Sequence, residues 1–291
     1  MIALVQWLIK YALLEPFGTH SSLDGFSFFL LVFSSLCIAA AGNIINDIYD
    51  IKTDTINKPQ RVIIDKHMSK NKAYTAFMVL NMVGVVAGFY LSHRVGKPSF
   101  FSVFILISFL LYLYAAYLKQ TVLVGNVVVS ILVAMSLIVV GIFDLVPMLT
   151  PSNHSLQLLF FKVIFDYALF AFTINLLREI AKDLEDIDGD YGSGMATLPI
   201  FLGRARTKNI LVFLNVITLA GIIYYLNTNL YKQPIAIVYF LFFVVGPLIY
   251  ISIKTFNSKT KTDFAHLSTM YKLVMCFGML SLLLYKYVIL N

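Results

Sequence analysis

The chain has 291 residues, 59% of them hydrophobic and only 13% charged, and its mean hydropathy is +0.84. That balance excludes a soluble globular domain and a disordered chain and points to an integral membrane protein. The net charge of +7 reads as the Lys/Arg bias of membrane loops rather than as a nucleic-acid footprint, so no nucleic-acid partner is expected.

A membrane helix needs about 20 mostly apolar residues. Runs of that kind lie near 26–46, 73–92, 100–118, 122–142, 158–181, 210–227, 234–254 and 270–290, with a shorter one at 2–14. They are continuous rather than alternating, which argues against barrel strands. The first run has neither a basic leader nor a small-residue cleavage site, and Trp7, Lys10 and Tyr11 interrupt it. It is taken as a short first helix, not a signal peptide. The expected fold is an all-α membrane protein of about nine transmembrane helices. Cys37 and Cys276 fall inside helices without a CxxC or a His in register, as packing cysteines do.

The second run ends in "NIINDIYDIKTDTINKPQR" (Asn43 to Arg61) and the sixth in "REIAKDLEDIDGDYGSG" (Arg178 to Gly194). Of the 15 acidic residues, nine lie here: Asp47, Asp50 and Asp54, then Glu179, Asp183, Glu185, Asp186, Asp188 and Asp190. Asn43, Asp47, Asp50, Asp54 and Glu179, Asp183, Asp186, Asp190 share the spacing i, i+4, i+7, i+11. On a helix these positions fall within an arc of roughly 60°, so each set is one polar stripe. Glu185 and Asp188 point away from it. The Gly-rich "GDYGSG" is expected to free the chain for a turn.

Loops on the side of the two stripes carry most of the Lys and Arg, whereas the opposite loops hold Arg94, Lys97 and Lys232. The stripes are therefore expected at the cytoplasmic face of a multi-pass protein of the cell membrane. Carboxylates so placed repel one another and are costly to ionise. One compensation is ion pairing with Lys52, Lys58, Arg61, Arg178 and Lys182. The sharper one is divalent metal held between two facing stripes. Hard oxygen donors without His or Cys favour Mg2+, which is commonly held by carboxylates together with substrate phosphates. A diphosphate head with an isoprenoid tail would suit such a site in a membrane bundle. Ionisation to an allylic cation and capture by a bound nucleophile would then be the chemistry.

These motifs resemble the UbiA superfamily of intramembrane prenyltransferases: "NDIYDIKTD" matches its NDxxDxxxD pattern at Asn46, Asp47, Asp50 and Asp54, and "DLEDIDGD" matches the second, DxxDxxxD, at Asp183, Asp186 and Asp190. The resemblance covers almost the whole chain. It implies a single domain over 1–291 of two similar halves, with Asp-rich motifs at 43–54 and 179–190 and a central, laterally open cavity. It also implies that Asp47, Asp50, Asp54, Asp183, Asp186 and Asp190 are the catalytic residues holding Mg2+ on a prenyl diphosphate. "LYAAYLKQTVLVGN" resembles the family's segment between helices four and five, which makes Lys119 a diphosphate contact; Asn43, Asn46, Arg61, Arg178 and Lys182 are further candidates. Val62 stands where the family often has proline.

Finer features resemble the branch that transfers geranylgeranyl to geranylgeranylglyceryl phosphate, a lipophilic acceptor drawn from membrane lipid synthesis. An aromatic acceptor of quinone synthesis is the alternative within the family. A cation-coupled transporter is the alternative from another class, with the position of both stripes at one membrane edge against it. Asp144, Asp166, His20, His93 and His154 read as isolated loop or interface residues, Asp166 being also a candidate polar feature of the cavity. Asp263 and His266 are expected to help cap the site.

Overall fold

Long apolar runs must satisfy their backbone polar groups internally inside a bilayer, and helices do so locally. The computed structural model describes residues 1–60 and 62–285, so the site candidate Arg61 lies outside the described residues. In chain order the helices are α1 (Ile2–Leu8), α2 (Gly25–Asn57), α3 (Lys70–Arg94), α4 (Phe101–Ala116), α5 (Val124–Asp144), α6 (His154–Ser193), α7 (Leu198–Leu202), α8 (Arg204–Asn229), α9 (Pro234–Phe240), α10 (Gly246–Asn257), α11 (Lys261–Leu280) and α12 (Leu282–Leu284). A wider π turn joins α9 to α10, so the two form one rod.

Among the described residues, eight helical segments are long and apolar enough to cross a membrane. α1 is the short ninth element: it continues through a π turn to Leu14 and a 3-10 turn to Phe17, where Gly18 stops it at φ 63. Local chemistry sets several starts. Asp24 accepts from the Ser27 N–H at 2.7 Å to cap α2, and Ser69 caps α3. Asp263, expected near the site, instead closes a capping box with Thr260 at the start of α11 and pairs with Lys254 at 2.9 Å. His266 meets the Tyr250 hydroxyl at 3.1 Å. Neither residue reaches the acidic stripes; the capping demand of α11 claims the carboxylate.

Two helices run well past their apolar segments. α2 reaches Asn57 and α6 reaches Ser193, so both acidic stripes are helical throughout. The "GDYGSG" segment is likewise helical up to Ser193, and only Gly194, at φ 77, makes the turn. The packing explains why: a Cβ on Gly189 would lie 2.2 Å from Asn57 Nδ2, so this glycine serves a close approach of α6 to α2 rather than a bend.

α2 packs on α3 and α4, α6 packs on α5 and α11, and α8 leans on α6 and α10. Large apolar side chains face outward, Met82 at 70%, Phe213 at 64% and Phe242 at 74% exposure, which suits hydrocarbon and not water. At the end of the bundle away from the stripes, Lys10 donates to Asp144 Oδ2 at 3.0 Å, and Asp144 also accepts from the Ser21 hydroxyl at 2.5 Å and the Leu23 N–H at 3.0 Å. Asp144 is thus no isolated loop residue. Its fully buried carboxylate pins α1 and the 18–24 segment to the end of α5. The distance of Lys10 in the chain had hidden the pair.

Candidate active site

A central cavity of about 340 Å³ lies among α1, α2, α4, α5, α6 and α11. Its walls are apolar through most of its depth, with Val5, Ile38, Phe104, Leu111, Leu132 and Met279 among them. Asn43, Asn175, Arg178 and Lys272 give it a polar end. Asn43 and Arg178 open the two sequence stretches that carry the stripes, so the acidic residues continue from this polar end toward the helix termini.

Direct contacts hold the two stripes together. Asn57, at the end of α2, donates to the Asp186 carbonyl at 2.9 Å and accepts from the Gly189 N–H at 3.1 Å. Thr53 donates to Ser193 at 2.9 Å. Lys58 bridges the helices by charge, standing 2.8 Å from Asp186 Oδ2 and 3.5 Å from Glu185. Lys261, from the first turn of α11, donates to the Asn57 carbonyl at 2.6 Å.

On the α2 stripe, Asp50 is buried and accepts from Asn46 Nδ2 at 2.5 Å. It also pairs with Lys119, whose ammonium lies 3.4 Å from Asn46 Oδ1. Lys119 sits in the 3-10 turn Leu118–Gln120 between α4 and α5. Gly125 lets α5 start directly beneath that turn, since a Cβ there would lie 2.7 Å from the Leu118 carbonyl. The Ala196 N–H donates to the Gln120 carbonyl at 2.9 Å, tying the same turn to the segment after α6. Asp47 is exposed and Asp54 half-buried.

On the α6 stripe, Asp183 accepts from Asn126 of α5 at 2.7 Å, and Asp190 is buried at 6% exposure. Asp186 Oδ1 is buried without a partner among the described residues. Glu179 takes both neighbouring bases: Arg178 Nη1 and Lys182 Nζ each lie 2.8 Å from it. Asp188 is exposed, as the helical spacing required, but Glu185 shares Lys58 with Asp186.

Of the expected site residues, Asn46, Asp50, Lys119, Asp183 and Asp186 therefore belong to the contacts around the two stripes, Asp190 is buried on the α6 stripe, and Asn43 and Arg178 line the cavity below them. Among the described residues, no three acidic, His or Cys side chains are drawn tightly enough to chelate a single ion. Lysines, one per stripe, occupy the middle carboxylates instead. Thr53, Asn57, Asn126, Asn175 and Ser193 escaped sequence reasoning, because neutral polar residues in helices carry no periodic signal of their own.

A profile of the UbiA prenyltransferase family matches residues 11–285. The chain belongs to that family. It is an enzyme of the prenyl-transferring class, and the membrane bundle around the cavity is the UbiA fold. The digeranylgeranylglyceryl phosphate synthase of Methanosphaera stadtmanae is 32% identical to this UbiA chain over 226 residues, 76% of this chain and 74% of the relative. A solved structure of a digeranylgeranylglyceryl phosphate synthase matches with a TM-score of 0.64 at 23% identity, covering 97% of this chain and 91% of that one. A UbiA homologue from Archaeoglobus fulgidus, bound to DMAPP and Mg2+, matches with a TM-score of 0.54 at 16% identity, covering 97% and 96% of the two chains.

Proposed function

We propose that this chain transfers a geranylgeranyl group from its diphosphate to the free hydroxyl of geranylgeranylglyceryl phosphate. The observation that carries the reading is the pairing of two acidic stripes, bridged by Lys58 and braced by Lys119, directly beyond the polar end of a long apolar cavity. An anionic head would sit at the stripes and a hydrocarbon tail in the cavity. The M. stadtmanae relative supports the acceptor. The A. fulgidus homologue, bound to DMAPP and Mg2+, supports the donor class and the metal.

The donor set fits Mg2+: the acids offer oxygen alone, and Asp186 Oδ1 is buried with no partner among the described residues. Asp47, Asp50 and Asp54 on α2 and Asp183, Asp186 and Asp190 on α6 would hold the metal. Bound there, Mg2+ neutralises charge on the diphosphate as it leaves. Lys119 and Lys58, released from Asp50 and Asp186, would donate to diphosphate oxygens, with Asn43, Asn46, Arg61, Arg178 and Lys182 as the remaining candidate contacts. The allylic C–O bond then breaks with its electron pair on the diphosphate. A new C–O bond forms to the acceptor hydroxyl oxygen, and the hydroxyl proton passes to the diphosphate or a nearby carboxylate. The apolar walls exclude water that would otherwise capture the cation.

We place the stripes at the cytoplasmic face on the Lys/Arg bias of their loops, and read the chain as one domain of two similar halves built around α2 and α6. Membranes given radiolabelled geranylgeranyl diphosphate should label geranylgeranylglyceryl phosphate only with Mg2+ present, and Asp50→Ala or Asp186→Ala should abolish labelling. Labelling of aromatic acids alone would move the reaction to quinone synthesis. No turnover with any acceptor would reopen the transporter reading.

A further inference from the structure

Lys272 stands eleven residues after Lys261, the first residue of α11, or roughly 16 Å along the helix axis. Lys261 itself meets Asn57 well beyond the apolar part of α2, so Lys272 lies near the stripe-side end of the apolar run at 270–290. Its side chain is exposed, it lines the central cavity, and it has no hydrogen-bond or ion-pair partner among the described residues. An ammonium that faces an apolar cavity without a partner is costly and marks a candidate anion site. Met275 and Met279, one and two turns along the same face of α11, line the cavity beside it, so Lys272 belongs to the cavity wall rather than to the lipid-facing surface. Across the cavity, Arg178 spends Nη1 on Glu179, while its Nε is buried without a partner among the described residues.

The acidic stripes and their lysines account for one anion, the diphosphate. Lys272 and the Nε of Arg178 line the same cavity and offer a second anion locus, which moves Arg178 from the candidate diphosphate contacts to the acceptor side. Arg178 precedes Asp183 by five residues, roughly 7.5 Å along α6, so this locus is deeper than the metal-binding acids and beside the apolar walls. We propose that Lys272, assisted by Arg178 Nε, binds the phosphate of a phosphorylated lipid acceptor and thereby selects an anionic acceptor over its neutral alcohol. This rests on the reaction proposed above. In such an acceptor the phosphate and the reacting hydroxyl sit on neighbouring carbons. A phosphate held at Lys272 would thus leave the hydroxyl close to the allylic carbon at the mouth of the stripes. Lys272 is a binding and specificity residue, with no proton or bond to transfer.

The test measures binding and turnover in parallel, with purified protein in nanodiscs and tritiated geranylgeranylglyceryl phosphate, geranylgeranylglycerol and geranylgeranyl diphosphate as probes. Wild type should bind the phosphorylated acceptor about tenfold or more tightly than the alcohol, the worth of a charge-assisted contact. Lys272→Met should lose that preference and Lys272→Arg should keep most of it, with affinity for the diphosphate unchanged in both. The inference is overturned if wild type shows no preference, if Lys272→Met keeps it, or if Lys272→Met weakens all three probes alike. A Lys272-dependent preference without turnover would retire the reaction and leave this site standing. Turnover with a preference indifferent to Lys272 would retire the site alone.

Discussion

The Lys58 ammonium, one residue past the end of α2, lies 2.8 Å from Asp186 Oδ2 on α6. It occupies the position of a countercharge between the two acidic stripes, as Lys119 does at Asp50. If both lysines hand over to diphosphate oxygens in the substrate complex, Lys58→Met and Lys119→Met should each weaken use of the prenyl diphosphate. Loss of one charge-assisted contact corresponds to about 10- to 100-fold in kcat/KM for the donor. Steady-state kinetics with the donor varied at saturating acceptor measures it, and an unchanged donor kcat/KM would leave both lysines as structural pairs only.

Gly189 meets Asn57 where α6 crosses α2, and a Cβ there would lie 2.2 Å from Asn57 Nδ2. Gly189→Ala should force the helices apart and lower stability by about 1–3 kcal/mol, the usual cost of overpacking. Adding Asn57→Ala removes the clashing side chain and should restore thermal stability. Activity should stay low, because the Asn57 bonds to the Asp186 carbonyl and the Gly189 N–H are gone. Recovery of both together would mean that the Asn57 bridge does not position the stripes.

The spacing of the stripes was legible because a helix repeats every 3.6 residues and writes its faces into the sequence. The same period carried α2 and α6 past their apolar runs to Asp54 and Asp190, close to their ends at Asn57 and Ser193, but it did not show that "GDYGSG" stays helical up to Ser193. Contacts such as Asn126 with Asp183 and Thr53 with Ser193 join distant segments, and no local pattern announces them. Lys272 was hidden for another reason. One lysine in an apolar run reads as a tolerated interruption until the helix has a known orientation, and its place on the cavity wall comes only from the packing of α11 against α6.

Lys10 and Asp144 are separated by 134 positions in the chain and form a buried pair, at 3% and 0% side-chain exposure. Asp144→Leu alone leaves a buried ammonium without its partner and should cost about 3–5 kcal/mol. Lys10→Met combined with Asp144→Leu should recover part of that loss, since no charge is stranded although the Ser21 hydroxyl and the Leu23 N–H lose their acceptor. Thermal unfolding of the three variants in one detergent reads the cycle. Turnover per folded molecule should be unchanged, because the pair lies at the end of the bundle opposite the acidic stripes.

Metal should change what Lys58 is worth to the fold. In this structure Lys58 and Asp186 are partly exposed, at 22% and 19%, so the pair contributes no more than about 1 kcal/mol. Lys58→Met should therefore lower stability by about that amount in EDTA, where the acids have lysines as their countercharges. With Mg2+ at the stripes, Asp186 has a stronger partner and the deficit should vanish, while Asp186→Asn should abolish most of the stabilisation that Mg2+ confers. Unfolding curves of wild type and both variants, with and without Mg2+, decide it. Equal deficits for Lys58→Met in the two conditions would mean that the metal does not compete for Asp186, and would move the metal ligands away from the middle of the α6 stripe.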